Sequence, residues 1–236
     1  MITLAFDSTA KAASVAITDG ERPLAVYTIE NGLTQSELLL PMAESALKAL
    51  KLTFSDVELL AASVGPGSFT GVRIGTALVK GIAFGKNIPC ASVSTLEALA
   101  QNLSGIDGIV APVMDARRGQ VYTAIFASTG GGIERITEDI AISIEELAEK
   151  LSPYVGERKI YLCGDGYNVV KRAFQRLDLH TENTPPLLLS ENAYSVAVAA
   201  QRIYERGECT SDTEHNPTYL RIPQAERERL EKTKEN

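Results

Sequence analysis

Apolar residues run together over positions 2–6, alternate with small residues over 14–18, and gather with β-branched and aromatic neighbours over 24–29. That pattern predicts three extended strands at the start of the chain. Asp7-Ser8-Thr9 punctuates the first pair, and Asp19-Gly20 supplies a two-residue hairpin signal between the second. The period then changes. Apolar residues at 38, 39, 42, 46, 47 and 50 recur every three or four positions, which predicts a helix over 35–52. Thr34 or Ser36 is placed to cap it, and Pro41 is compatible only in or near the first turn. A strand over 58–64 leads into Gly65-Pro66-Gly67-Ser68-Phe69-Thr70-Gly71, followed by a long helix to about residue 85. A strand over 88–93 and a helix opening at Ser94 complete this half, with Glu97 placed three residues on to form a capping box.

The order is therefore β-β-β-α-β-α-β-α, a mixed sheet with helices on its faces. It is the strand order of the ribonuclease H-like unit found in nucleases, actin and sugar kinases. The second half predicts strands over 108–113, 120–127 and 133–142, with Gly130-Gly131-Gly132 turning between the last two. A helix over 144–151, a strand over 159–163 and a tight Gly164-Asp165-Gly166 turn follow. Helices over 167–177 and 193–205 come last, the second closed by Gly207. No internal repeat or linker interrupts the pattern. It divides into a first lobe over 1–105, a smaller second lobe over 106–189, and a helix over 190–206 returning to the first. Residues 222–236 read as a charge-dense tail.

Composition narrows the function classes. Hydrophobic residues make up 44% and charged residues 22% of the 236, the balance of a globular chain with a real core. A net charge of −7 disfavours a broad nucleic-acid-gripping surface. No apolar stretch is long enough to span a bilayer, and the N-terminal residues lack the basic and apolar regions of a secretory signal. Three scattered cysteines form no metal-type pair and argue for a reducing compartment, so a cytoplasmic location is expected. His180 and His215 are too few and too far apart for a histidine-rich metal site, and each reads as a surface or capping imidazole.

Four motifs carry candidate chemistry. Asp7, Ser8 and Thr9 stand at the carboxyl end of the first strand, where open α/β sheets bind ligands. They suit a phosphate or an ion, or else a turn bonding its own backbone. Gly65, Gly67 and Ser68 precede a helix N-terminus that suits an anion, with no Walker lysine and no dinucleotide spacing. Gly71, Gly75, Gly81 and Gly85 would leave one face of that helix nearly bare, open to another helix or to a subunit. Asp115-Ala116-Arg117-Arg118 reads as a phosphate clamp or a solvated turn with a local ion pair. Gly164, Asp165 and Gly166 match a second-lobe nucleotide loop or an ordinary turn, and Lys171, Arg172 and Arg176 line one helix as a basic strip. A two-metal nuclease also needs an acid after the fourth strand, where Ser63-Val64-Gly65-Pro66 stands instead.

GPGSFTGVRIG, with FDST near the start, VMDARRGQVY over 113–122 and PTYLR over 217–221, closely resembles the TsaB (YeaZ) family over nearly the whole chain. The resemblance implies the two-lobed actin-like, sugar-kinase ATPase fold. It also implies a part in forming N6-threonylcarbamoyladenosine at position 37 of tRNAs reading codons that begin with adenine. The implied partners are a catalytic paralogue, TsaD, and an ATPase, TsaE, with tRNA reached only indirectly. The paralogue carries a His-x-x-x-His ion site, and the matching positions here are Thr95 and Leu99. Neither side chain serves as its ligand, so the reading is a non-catalytic scaffold with no intrinsic cofactor and at most weak ATP or ADP binding. Pairing with the paralogue, or with a second copy when alone, is expected through Leu38, Met42, Gly71, Ile74, Gly75, Leu78 and Ile82.

Overall fold

The computed structural model describes residues 1–221; the tail over 222–236 lies outside them. β1 (Ile2–Asp7), β2 (Ala13–Asp19) and β3 (Arg22–Ile29) form an antiparallel meander, with Gly20 at φ 59° in the second hairpin. α1 (Gln35–Ala49), β4 (Leu59–Ser63), α2 (Phe69–Ala83), β5 (Cys90–Val93) and α3 (Thr95–Gln101) follow. The first sheet has the order β3-β2-β1-β4-β5, with β1, β4 and β5 parallel. β6 (Gly108–Asp115), β7 (Gln120–Thr123), β8 (Phe126–Thr129), β9 (Gly132–Arg135) and β10 (Ile140–Ser143) build a second sheet in the order β10-β7-β6-β8-β9. α4 (Ile144–Leu151), β11 (Ile160–Cys163), α5 (Tyr167–Arg176) and α6 (Ala193–Glu205) complete the chain, β11 pairing parallel to β6.

Four apolar layers hold these pieces. α1 and α2 cover one face of the first sheet, where Leu39, Met42, Leu47, Val79 and Ile82 meet Leu4, Phe6, Val15 and Leu60. α6 covers the other, laying Val196, Ala197, Ala200 and Ile203 on Ala5, Ala16, Leu59 and Val93. The alanines on both sides let the helix lie close to the sheet. α4 and α5 pack Leu147, Leu151, Val170 and Phe174 on the second sheet. α3 is shared: Ala98 joins the α6 layer, while Leu96 and Leu99 enter the second sheet's other face beside Phe126 and Cys163.

The structure corrects the sequence reading at four places. Pro41 lies inside α1, beyond the first turn in or near which it was expected; the Glu37 carbonyl it cannot bond is on the exposed side of the helix, where water can serve it. The strand expected over 120–127 is two strands, because the first half of β6 pairs with β8 and the second half with β7. The strand expected over 133–142 is likewise broken, where the Thr137 hydroxyl accepts from the Ile125 N–H and displaces the ladder. Ser94 does cap α3, yet Glu97 forms no capping box. Its carboxylate instead bridges to Arg135 at 3.2 Å, in a half-buried network that includes Asp139.

The candidate site between the sheets and the face of the first two helices

The expected ligand loops come together at the carboxyl ends of β1 and β4, and they close on one another. Asp7 is fully buried; its carboxylate accepts from the Ser63 hydroxyl at 2.5 Å and from the Thr9 N–H and hydroxyl. Burial pushes the Asp7 pKa up against those three hydrogen bonds, which favour the charged form. The Ser8 hydroxyl donates to the Gly71 carbonyl, and the Ser68 N–H donates to the Thr9 carbonyl. Gly67, at φ 153°, has room for no side chain because a Cβ would meet the Thr9 carbonyl oxygen at 2.6 Å. The third loop is closed in the same way. The Gly164 and Gly166 N–H groups donate to the Leu189 and Val113 carbonyls, and Asp165 accepts from the Asp115 N–H at 2.9 Å. These donors, which a phosphate would need, already serve the chain.

The Asp115–Arg118 turn behaves as a solvated local pair. Asp115 accepts from the Arg117 N–H and faces its guanidinium at 3.3 Å, with both side chains largely exposed. On the basic strip, the Lys171 ammonium bonds the Tyr167 hydroxyl and Asn183, and Arg172 donates to the Asn168 carbonyl. A polar cavity of about 340 Å³ lies between Gly67, Ser68 and Phe69 on one side and Asp115, Arg117 and Tyr122 on the other.

The helix face sorts differently from expectation. Gly71 and Gly75 point inward: a Cβ at Gly71 would overlap the Ser8 carbonyl oxygen, and one at Gly75 would meet the Ser8 hydroxyl at 2.8 Å. These two glycines therefore seat α2 on the β1–β2 turn and offer nothing to a partner. Met42 and Ile82 are buried against the first sheet. Leu38, Ile74 and Leu78 remain partly exposed, joined by Ala77, Gly81 and Phe84, which is 78% exposed. Positions 74, 77, 78 and 81 form one apolar stripe at helical spacing.

Thr95 and Leu99 are both 0% exposed. Leu99 fills the junction between α3 and the second sheet: its carbonyl accepts from the Cys163 thiol, and a Cβ on Gly164 would touch its side chain at 3.3 Å. Among the described residues, no three His, Cys, Asp or Glu side chains are placed to share a metal ion.

His180 is exposed, as expected; His215 is not. It is 0% exposed, with Nδ1 at 2.8 Å from the Ser92 hydroxyl and Nε2 without a partner. It anchors a strap over 209–221. Thr210 pairs with Cys90, Lys80 holds Thr213 and Asn216, and the Thr218 N–H donates to Val64. Tyr219 stacks on Phe69 beside Arg73, and Arg221 reaches Ala116 and Gln120 in the second sheet. Burial, with a smaller push from Lys80, lowers the His215 pKa to about 4. A lowered histidine pKa contributes stability above its free value near 6.5 and loses it as pH falls toward 4. Glu191 and Asp7, both raised, work in the opposite direction, so the effect is read as a difference. His215→Gln should gain on the native protein by on the order of 3 kcal/mol between pH 7 and 4 in denaturant titrations; a pH-independent difference would refute it.

The two sheets and their flanking helices define a mixed α/β protein, its first sheet in the order β3-β2-β1-β4-β5 that the actin-like, sugar-kinase fold predicts. Residues 34–229 match the family described as TsaD, tRNA N6-adenosine threonylcarbamoyltransferase. The chain is 34% identical over 151 residues to "tRNA threonylcarbamoyladenosine biosynthesis protein TsaB" of Bacillus subtilis, and 35% identical over 161 residues to that of Escherichia coli. These matches take in 64% and 66% of this chain, and 66% and 69% of those proteins, about two thirds of each. The solved structure "YeaZ from Pseudomonas aeruginosa" superposes with a TM-score of 0.76 at 26% identity, over 93% of this chain and 99% of that one. The chain belongs to the TsaD family, and within it to the TsaB (YeaZ) proteins. Among the described residues, no helix is long and apolar enough to cross a membrane.

Proposed function

We propose that this chain is a non-catalytic subunit for forming N6-threonylcarbamoyladenosine at position 37 of tRNAs that read codons beginning with adenine. It pairs with a TsaD-like catalytic paralogue through the exposed stripe of α2 and the neighbouring Leu38 of α1, and helps recruit a TsaE-like ATPase. The observation that carries this reading is α3. At the two positions matching the paralogue's ion-binding histidines stand a wholly buried threonine and a leucine packed against Gly164. The names of the relatives support the same pathway. The test is a reconstituted modification assay: the paralogue and the ATPase with this chain should modify tRNA, and omission of this chain should abolish the product. Product formed by this chain alone would overturn the reading.

The second reading, a nucleotide-binding protein, draws on the fold class. The closed loops weigh against it, since a phosphate must displace bonds already made at Ser68, Gly164 and Gly166. Calorimetric titration of the isolated chain with ATP and ADP should give no saturable heat below millimolar ligand; micromolar binding with turnover would restore this reading.

A further inference from the structure

We propose that the groove between β3 and the segment entering α6 binds a small organic cation, an ammonium group on an apolar body, with Glu191 as its counter-ion. The groove encloses about 520 Å³, within the range of small-molecule sites. Its walls are apolar: Pro23 and Val26 from β3, Leu187 and Leu188 opposite, and the Tyr194 ring. Leu187 stands 88% exposed at the lip.

The two asparagines of the floor are already paired. Asn102 donates to the Leu188 and Ser190 carbonyls and accepts from Asn192 and Ser195. Asn192 in turn accepts from the Ser195 N–H, so this network is rigid and has little left to offer. Glu191 is the exception. It lines the groove, is 6% exposed, and its Oε1 has no hydrogen-bond partner. A buried carboxyl left in that state costs stability that a bound donor recovers. Among the described residues no Lys or Arg forms an ion pair with it, and the charged groups acting on it are all acidic: Asp7 at the end of β1, Asp165 before α5, and Glu30 after β3. A negative surrounding favours a cation. With no three ligands placed for a metal ion, and with apolar walls, the cation that fits is organic.

Burial, with Asp7 as the next cause, raises the Glu191 pKa to about 8. At neutral pH the free groove therefore holds mostly the neutral acid. An ammonium guest pairs with the carboxylate, so binding releases a proton and strengthens as pH rises.

The chain has no tryptophan, so the indole fluorescence of tryptamine reports on the probe alone. Titrated with the isolated full chain, tryptamine should bind saturably with a blue-shifted emission. Its affinity should rise about tenfold per pH unit from 6 toward 8 and then level off. Tryptophol, the neutral alcohol of the same shape, should bind at least tenfold more weakly with no pH dependence. Glu191→Gln should reduce tryptamine to the tryptophol level and leave tryptophol unchanged, while Leu187→Ser, which removes apolar wall without adding charge, should weaken both. Equal affinities for the two probes, pH-independent tryptamine binding, or no saturable signal would each overturn the proposal. Should Glu191→Gln fail to fold, the pH profile and the tryptophol comparison on the native chain still decide it. The measurement needs no other subunit, so its outcome is separate from that of the scaffold reading.

Discussion

Gly81→Arg is expected to leave the chain folded and to abolish the proposed pairing with the catalytic paralogue, and with it tRNA modification. Gly81 sits on the outer side of α2 with nothing within 4 Å of where a Cβ would stand. Arginine is a better helix former than glycine, by roughly 0.5–1 kcal/mol, so folding gains slightly. The same residue puts a charged, five-donor head in the middle of the stripe made by Ile74, Ala77 and Leu78, where a helix partner must come close. Desolvating that head without a counter-ion costs at least about 2 kcal/mol, or roughly 30-fold in affinity. Size-exclusion chromatography of the mixed subunits, with a thermal melt of the variant alone, measures both halves. A full-sized complex from a well-folded variant would show that docking uses another surface.

The second large effect concerns folding. Gly71→Ala should destabilise the chain by on the order of 4 kcal/mol or more, the range of substitutions that force a backbone apart. A Cβ there overlaps the Ser8 carbonyl oxygen, and relief would have to move α2 away from the β1–β2 turn. That movement also breaks the Ser8 hydroxyl bond to Gly71 and disturbs the Thr9–Ser68 contact. Gly81→Ala, ten positions on in the same helix, should stabilise by a few tenths of a kcal/mol to about 1. Urea titrations of the two variants side by side check the contrast; equal effects would mean that α2 does not seat on Ser8 as described.

That contrast marks how far the sequence could be read. Gly71, Gly75, Gly81 and Gly85 look alike in the letters, and helical spacing gathers them into one stripe, although Gly85, at φ 71°, falls just past the end of α2. What separates them is the β1–β2 turn, which lies far away in sequence and presses only on Gly71 and Gly75. The first five strands and their helices were legible because each has a clear period and a cap, as Thr34 does for α1. The second sheet was less so, since β6 divides its pairing among three neighbours and no local pattern encodes that. The Glu97 bond to Arg135 shows a local capping signal losing to a tertiary ion pair. His215 and Glu191 were missed for a related reason. A single titratable residue in a loop carries no periodicity, and its burial depends on what the rest of the chain folds over it. A weak signal for His215 did exist in the neighbouring PTYLR element, which the strap pins across both sheets.

The course of the strap and of α6 bears on how the protein is made. β1 and β2 leave the ribosome long before α6, the helix that shields one side of them; the Ala193 N–H and the Ser14 hydroxyl that it bonds are 179 positions apart. During elongation the alanine-lined side of the meander therefore stays bare, a template for unwanted association. Nascent chains stalled before residue 193 should be captured by a general chaperone, and those extended past 221 should be released from it.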